Sequence, residues 1–201
     1  MTDQNAIRDD IAFLRALAED GQAGPMRGGS ILIAAGLIFA AASLASWGVI
    51  VSNQAGSGIV FPIIWFGAAA LFMAVMTWLK RRMPSGSPNG RAAGVVWTGA
   101  GFAIFFIVIS LMVLASRLHN WDVMASLPSI ILAIYGAAWL VGAIVSRIRW
   151  VCLVAAGAFA MALVSGWCAT DPATLYLLYA ASLVGLLALP GYIFTRLARA
   201  A

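Results

Sequence analysis

The side chains best able to do chemistry in this sequence lie in two short polar connectors between long apolar stretches. If the connectors meet, an imidazole, two carboxylates and a thiol could bind a metal ion or act as acid and base. The chain has a single His, however, and each carboxylate precedes a predicted helix that it can cap. We therefore expect neither a metal site nor a catalytic site here. The connector residues are Arg117, His119, Asn120 and Asp122 in one, and Cys168, Thr170 and Asp171 in the other.

Sequence motifs of the common enzyme classes are missing from the chain. It contains no H-E-x-x-H, no G-x-S-x-G, no phosphate-binding loop and no paired His residues for haem. Ser and Thr residues inside the apolar stretches have no ionisable base beside them. These patterns predict a protein that is not an enzyme and carries no cofactor. A membrane enzyme built on the connectors is the least favoured alternative.

The elements that hold these connectors are six apolar stretches without Asp, Glu, Lys, Arg or His. Hydrophobic residues make up 63% of the chain and charged residues 9%, which is typical of a protein solvated by lipid. Because about 20 apolar residues cross the hydrocarbon core, we predict an all-α integral membrane protein with a six-transmembrane-helix bundle at residues 28–201. The predicted spans are 28–52, 59–79, 92–116, 123–146, 150–169 and 173–195.

Basic residues follow alternate ends of the predicted spans. Of the twelve Lys and Arg residues, all but Arg117 lie on one side of the predicted bundle. The positive-inside rule therefore predicts that both termini are cytoplasmic. The excess of Arg over Lys, with abundant Ala and Gly, favours a bacterial inner membrane. Since the basic residues form no stripe with interleaved aromatics, we expect membrane lipid and not nucleic acid as a partner.

Residues 1–27 precede the first span and differ from it in composition. Apolar residues recur there at helical spacing and predict a cytoplasmic amphipathic helix, followed by a Gly- and Pro-rich hinge. The polar face is net acidic, which disfavours anionic lipid and favours a protein surface. The helix either covers the floor of the bundle or binds a membrane protein, a cytoplasmic protein or a second copy. The residues expected to make this contact are Ile7, Ile11, Leu14 and Leu17.

Deep aromatic residues and one proline are the candidates for ligand handling within the bundle. The aromatic side chains could form a pocket for a neutral or apolar ligand, and core packing is the alternative. Pro190 and Gly191 lie inside the sixth span and predict a kink that serves either gating or packing. The proposed pocket residues are Trp65, Phe66, Trp97, Tyr135, Trp139, Tyr176 and Tyr179.

Three helical hairpins in series would explain short sequence repeats within the spans, but chance matches in a small apolar alphabet are the favoured explanation. The favoured function is a non-enzymatic accessory or regulatory subunit that engages a partner through its N-terminal helix. The alternative is a small uncoupled transporter or channel for a neutral or lipophilic substrate. Ion-coupled transport is disfavoured because the spans contain no carboxylate.

Overall fold

The protein is helical throughout the part that its computed structural model describes, which is residues 28–52, 58–82 and 88–200. The predicted amphipathic helix and hinge at 1–27 lie outside these described residues. Two 3₁₀ helices, Trp121–Ser126 and Cys168–Thr170, and a π-helical segment, Val184–Ala188, accompany the α-helices. The α-helices are α1 (Gly29–Val51), α2 (Val60–Arg82), α3 (Pro88–Leu118), α4 (Leu127–Ser146), α5 (Arg149–Trp167), α6 (Pro172–Leu183) and α7 (Leu189–Ala200).

Six segments of this part of the chain are long and apolar enough to cross a membrane. The sixth span combines α6, the π-helical segment and most of α7. The prediction of a six-helix membrane protein is confirmed, and every predicted end lies within three residues of the observed one. The second helix is longer than predicted because Lys80, Arg81 and Arg82 form its last turn, where the negative end of the helix dipole favours basic side chains.

The start of the fourth span differs from its prediction. We expected Asp122 to cap this helix, and that expectation is wrong. The 3₁₀ helix Trp121–Ser126 comes first, and the Asn120 side chain caps it by accepting a hydrogen bond from the N–H of Asp122. This extra turn moves the beginning of α4 to Leu127, out of reach of the Asp122 carboxylate.

Helix α1 is central to the arrangement of the spans. It packs against α2 on one side and along the whole sixth span on the other. Helices α4 and α5 form the most extensive pair, joined by a short turn in which Arg147 has a left-handed backbone with φ of 56°. Helix α3 packs on α4, and α5 contacts the sixth span. The predicted hairpins are therefore not separate packing units, because the largest contacts join spans from different hairpins.

The closest approach between helices is the crossing of α1 over the sixth span. A Cβ atom added at Gly36 would lie 2.6 Å from the backbone nitrogen of Ala188 and 2.9 Å from the carbonyl oxygen of Leu183. Near the end of the same crossing, Gly29 and Gly191 lie against each other's backbone. Small residues at a helix interface let membrane helices approach closely and gain packing contacts. Glycine at position 36 is thus required by the α1 crossing.

Two serine side chains inside the bundle join helices to one another. The Ser43 hydroxyl of α1 donates to the carbonyl oxygen of Tyr176 in α6 over 2.7 Å. The Ser129 hydroxyl of α4 donates to the carbonyl oxygen of Ala162 in α5 over 2.8 Å. A hydrogen bond that satisfies a hydroxyl in hydrocarbon is worth about 0.6 kcal/mol on average between membrane helices. Both bonds therefore contribute modestly to the two main helix pairings.

Helices α2 and α3 lie at the periphery. Only 6% of the residues in the second and third spans are buried inside the protein, against 50% in the sixth. Their apolar faces are therefore mostly exposed on the outside of the bundle. Exposed basic residues gather at one end of the bundle, which we call the basic end, and the described acidic residues Asp122 and Asp171 lie at the other. The basic end carries Lys80, Arg81, Arg82, Arg147, Arg149 and Arg196.

The close crossing at Gly36 predicts that alanine lowers the stability of the protein at position 36 but not at position 48. Gly36→Ala should lower the stability by about 1–3 kcal/mol, because its methyl group meets backbone atoms that cannot move aside freely. Gly48→Ala in the same helix is the control, since its new methyl group has no neighbour within 4 Å. Thermal unfolding in detergent measures both, and equal midpoints for the two variants would contradict the close crossing.

Candidate functional site

The two connectors that carry the reactive residue types do meet in space. Their 3₁₀ helices, Trp121–Ser126 and Cys168–Thr170, contact each other at the end opposite the basic end. Within the described ranges, however, no three His, Cys, Asp or Glu side chains are close enough together to hold a metal ion. Both Cys168 and Cys152 are free thiols. The connectors therefore bring the elements together without assembling a metal-ligand set.

His119 terminates the third span. Its backbone is left-handed, with φ of 50°. The N–H of Asn120 donates to the carbonyl oxygen of Ala115 over 3.0 Å, and the N–H of His119 approaches that of Ser116 at 3.4 Å. This pair of bonds is a Schellman motif, which satisfies the last free carbonyls of a helix. The structure thus gives His119 a backbone role at a helix end.

Asp171 caps the start of α6, as the sequence predicted. Its Oδ1 atom accepts from the N–H groups of Ala173 at 3.2 Å and Thr174 at 3.4 Å. The Thr174 hydroxyl donates to Oδ2. Hydrogen bonds from the Thr174 side chain and backbone, then from the Ala173 backbone, stabilise the carboxylate and lower the pKa of Asp171. The Asp171 carboxylate therefore serves to cap the first turn of α6.

The predicted pocket aromatics divide between two clusters. In the first, Trp65 of α2 lies 6.4 Å from Tyr176 and 6.2 Å from Tyr179, measured between ring centroids. Phe61 stacks on Tyr176, and Phe39 of α1 stacks on Trp65. This first cluster fills the space between α1, α2 and α6. Phe66 is not part of it, because its side chain is exposed on the outer face of α2.

The second aromatic cluster lies between α3, α4 and α7. Trp97 meets Trp139 edge-on at 5.1 Å and lies 5.9 Å from Tyr135. Phe194 continues the cluster by stacking on Trp139 at 6.1 Å and approaching Trp150 at 5.0 Å. Pairs of aromatic rings at these separations stabilise packing by about 0.5–1.5 kcal/mol each. These contacts join α3 and the α4–α5 pair to the sixth span.

Trp139 also makes the hydrogen bond that the sixth span needs. In a regular α-helix the N–H of residue 190 would donate to the carbonyl of Leu186, but proline has no N–H. The Trp139 indole Nε1 of α4 donates to this Leu186 oxygen over 3.0 Å. The π-helical segment Val184–Ala188 lies immediately before Leu189 and Pro190. Pro190 and Gly191, the predicted kink, therefore sit at a change of helix type that α4 supports.

An apolar groove of about 420 Å³ opens between α1 and α2. We call it the α1–α2 groove. None of the seven predicted pocket residues lines it. Its walls are formed by Leu37, Ala41 and Ala45 of α1 and by Ile64, Gly67 and Leu71 of α2, among other apolar residues.

No protein-family model, characterised protein sequence or solved structure matches this chain. The class of protein therefore follows from the fold alone, which is that of a multi-pass helical membrane protein.

Several features of these sites were not found from the sequence. The residues expected at a partner interface, Ile7 to Leu17, lie outside the described ranges. The π-helical segment was missed, although the missing N–H of Pro190 leaves the Leu186 carbonyl free and is a readable signal. The left-handed His119 was missed because a His residue is not the usual glycine at that position.

The lowered pKa of Asp171 predicts a pH-dependent contribution to stability. Because the folded-state pKa lies below the unfolded value of about 3.9, the contribution is full above that value and is lost as pH falls through the folded pKa. Asp171→Asn retains a capping oxygen but removes this titration, so its unfolding midpoint should fall less between pH 7 and pH 3 than that of the wild type. Asp122→Asn is the control for the loss of one carboxylate at the same end of the bundle. Equal pH profiles for wild type and Asp171→Asn would refute the assignment.

Proposed function

We propose that this protein is a non-enzymatic accessory or regulatory subunit of a bacterial inner membrane, with both termini in the cytoplasm. In this proposal it engages a membrane or cytoplasmic protein partner, or a second copy, through the N-terminal helix. The contact face comprises Ile7, Ile11, Leu14 and Leu17.

The observation that carries the proposal is the use of polar groups inside the bundle. The hydroxyls of Ser43 and Ser129 and the indole of Trp139 each donate to a backbone carbonyl of another span. Groups of this kind that bind a substrate would face a cavity, whereas these hold helices together. A bundle built as a scaffold supports a role in presenting its extramembrane segment to a partner.

The distribution of charge supports the proposed orientation. Lys80, Arg81, Arg82, Arg147, Arg149 and Arg196 are exposed at helix termini at the basic end, and both described acidic residues lie at the opposite end. A membrane protein places its basic ends in the cytoplasm. The first residue of α1, Gly29, packs beside Gly191 and Thr195 of α7, so residues 1–27 join the bundle at the basic end.

One observation favours the alternative, an uncoupled transporter for a neutral or lipophilic substrate. π-helical segments are frequent at functional sites, and Val184–Ala188 lies in the most buried span. In that case the π-helical segment before Pro190 would change conformation as the substrate passes. Loss of uptake in a Pro190→Ala variant, with protein complexes unchanged, would favour transport over the accessory role.

Serine substitutions on the N-terminal contact face should cause the selective loss of a bound partner. Ile11→Ser, Leu14→Ser and Leu17→Ser together should abolish a stoichiometric complex, because they remove the apolar contact face. Ala12→Ser with Ala16→Ser is the control, since helical periodicity predicts that both lie on the opposite face. Native mass spectrometry after gentle release from the native membrane measures the complexes. An unchanged partner profile in the triple variant, or no complex in the wild type, would reject the proposal.

A further inference from the structure

Helix α2 carries one continuous stripe that runs from the α1–α2 groove to the basic end. Residues 64, 67, 71, 75, 78 and 82 recur at intervals of three and four, so they share one helix face. The stripe starts with Ile64, Gly67 and Leu71 in the groove. It ends with Trp78 and Arg82. An apolar groove and a cationic terminus thus belong to the same surface.

The cationic end of this stripe is held at the level of the membrane interface. The Arg82 guanidinium lies over the Trp78 ring, 4.2 Å from its centroid. A cation–π contact occupies the face of the guanidinium and leaves its N–H donors free in the plane. Lys80 and Arg81 are exposed beside it. Within the described ranges both acidic residues lie at the opposite end of the bundle, so neither can form an ion pair with these basic residues.

The depth of the groove matches the length of an acyl chain. One leaflet of the hydrocarbon core is about 15 Å thick, which corresponds to about ten helical residues. Counted from Trp78, which marks the interface, this distance ends at Ala68, on the groove wall. Gly67 widens the groove here, since a Cβ atom at this position would have no neighbour within 4 Å.

We propose that the α1–α2 groove binds one anionic glycerophospholipid. An acyl chain lies along Leu37, Gly67 and Leu71. The phosphate-bearing headgroup lies at Lys80, Arg81 and Arg82. Charge complementarity selects this occupant over the transmembrane helix of a second copy, because a purely apolar helix face would make no use of Arg82 at the end of the stripe or of Lys80 and Arg81 beside it. This proposal does not rest on the function proposed above.

The groove can be filled without disturbing the fold. Gly67→Leu places a side chain in open space within the groove, and Gly99→Leu does the same on α3, away from it. Full-length protein is delipidated in detergent, and phosphatidylglycerol or phosphatidylcholine with identical acyl chains is added. Native mass spectrometry measures bound lipid, and thermal unfolding without lipid shows whether each variant is folded. We expect one phosphatidylglycerol on the wild type and on Gly99→Leu, and none on Gly67→Leu.

Charge variants test the headgroup separately. Lys80→Gln, Arg81→Gln and Arg82→Gln should each weaken phosphatidylglycerol binding about fivefold, because one basic residue near a membrane surface contributes about 1 kcal/mol. Arg147→Gln with Arg149→Gln is the control, because it removes charge at the same end but from other spans. Equal lipid retention by Gly67→Leu and Gly99→Leu would overturn the proposal, as would no preference for phosphatidylglycerol. A dimer that disappears in Gly67→Leu, without bound lipid, would assign the groove to a second copy instead.

Discussion

A helix in lipid must satisfy its backbone hydrogen bonds within the protein, because hydrocarbon offers no partner. At one position the sixth span cannot satisfy this constraint by itself, because Pro190 has no N–H to donate to the carbonyl oxygen of Leu186. The indole of Trp139 supplies the missing donor from α4. This bond can form only if α4 lies against the sixth span. It therefore links α4 directly to the sixth span, beside the contacts that α5 makes with that span.

The same stretch of the sixth span is held from the other side by α1. Gly36 lets the backbones of α1 and the π-helical segment meet near Ala188, so contact there is made by main-chain atoms and small side chains. With both sides of the sixth span occupied, α2 and α3 remain at the periphery, and their apolar surfaces are exposed. The α1–α2 groove differs from the rest of this apolar surface because the stripe of α2 that lines it ends in Arg82.

Much of this fold could be predicted from the sequence because a helix that crosses the hydrocarbon core must be about 20 residues long and nearly free of charge. Length and the lack of charge identify the six spans, and Asp171 followed by Pro172 identifies the start of α6. The error at Asp122 arose because a 3₁₀ turn competes with direct helix initiation, and local sequence does not separate the two. The pairing of α1 with the sixth span could not be derived from the sequence, because apolar side chains do not specify which helix they pack against. The contact depends on which backbone approaches Gly36 in the folded protein. The seven aromatic residues were selected by depth alone, and depth could not separate the two packed clusters from the exposed Phe66.

The indole of Trp139 compensates for the amide hydrogen that Pro190 lacks. A double-mutant cycle with Trp139→Phe and Pro190→Ala, followed by reversible unfolding in detergent, tests it most directly. In the wild-type background Trp139→Phe should destabilise the protein by about 1 kcal/mol more than in the Pro190→Ala background, where the new amide can donate to Leu186. Additive effects, within about 0.3–0.5 kcal/mol, would show that the indole and the proline act independently and would contradict this account.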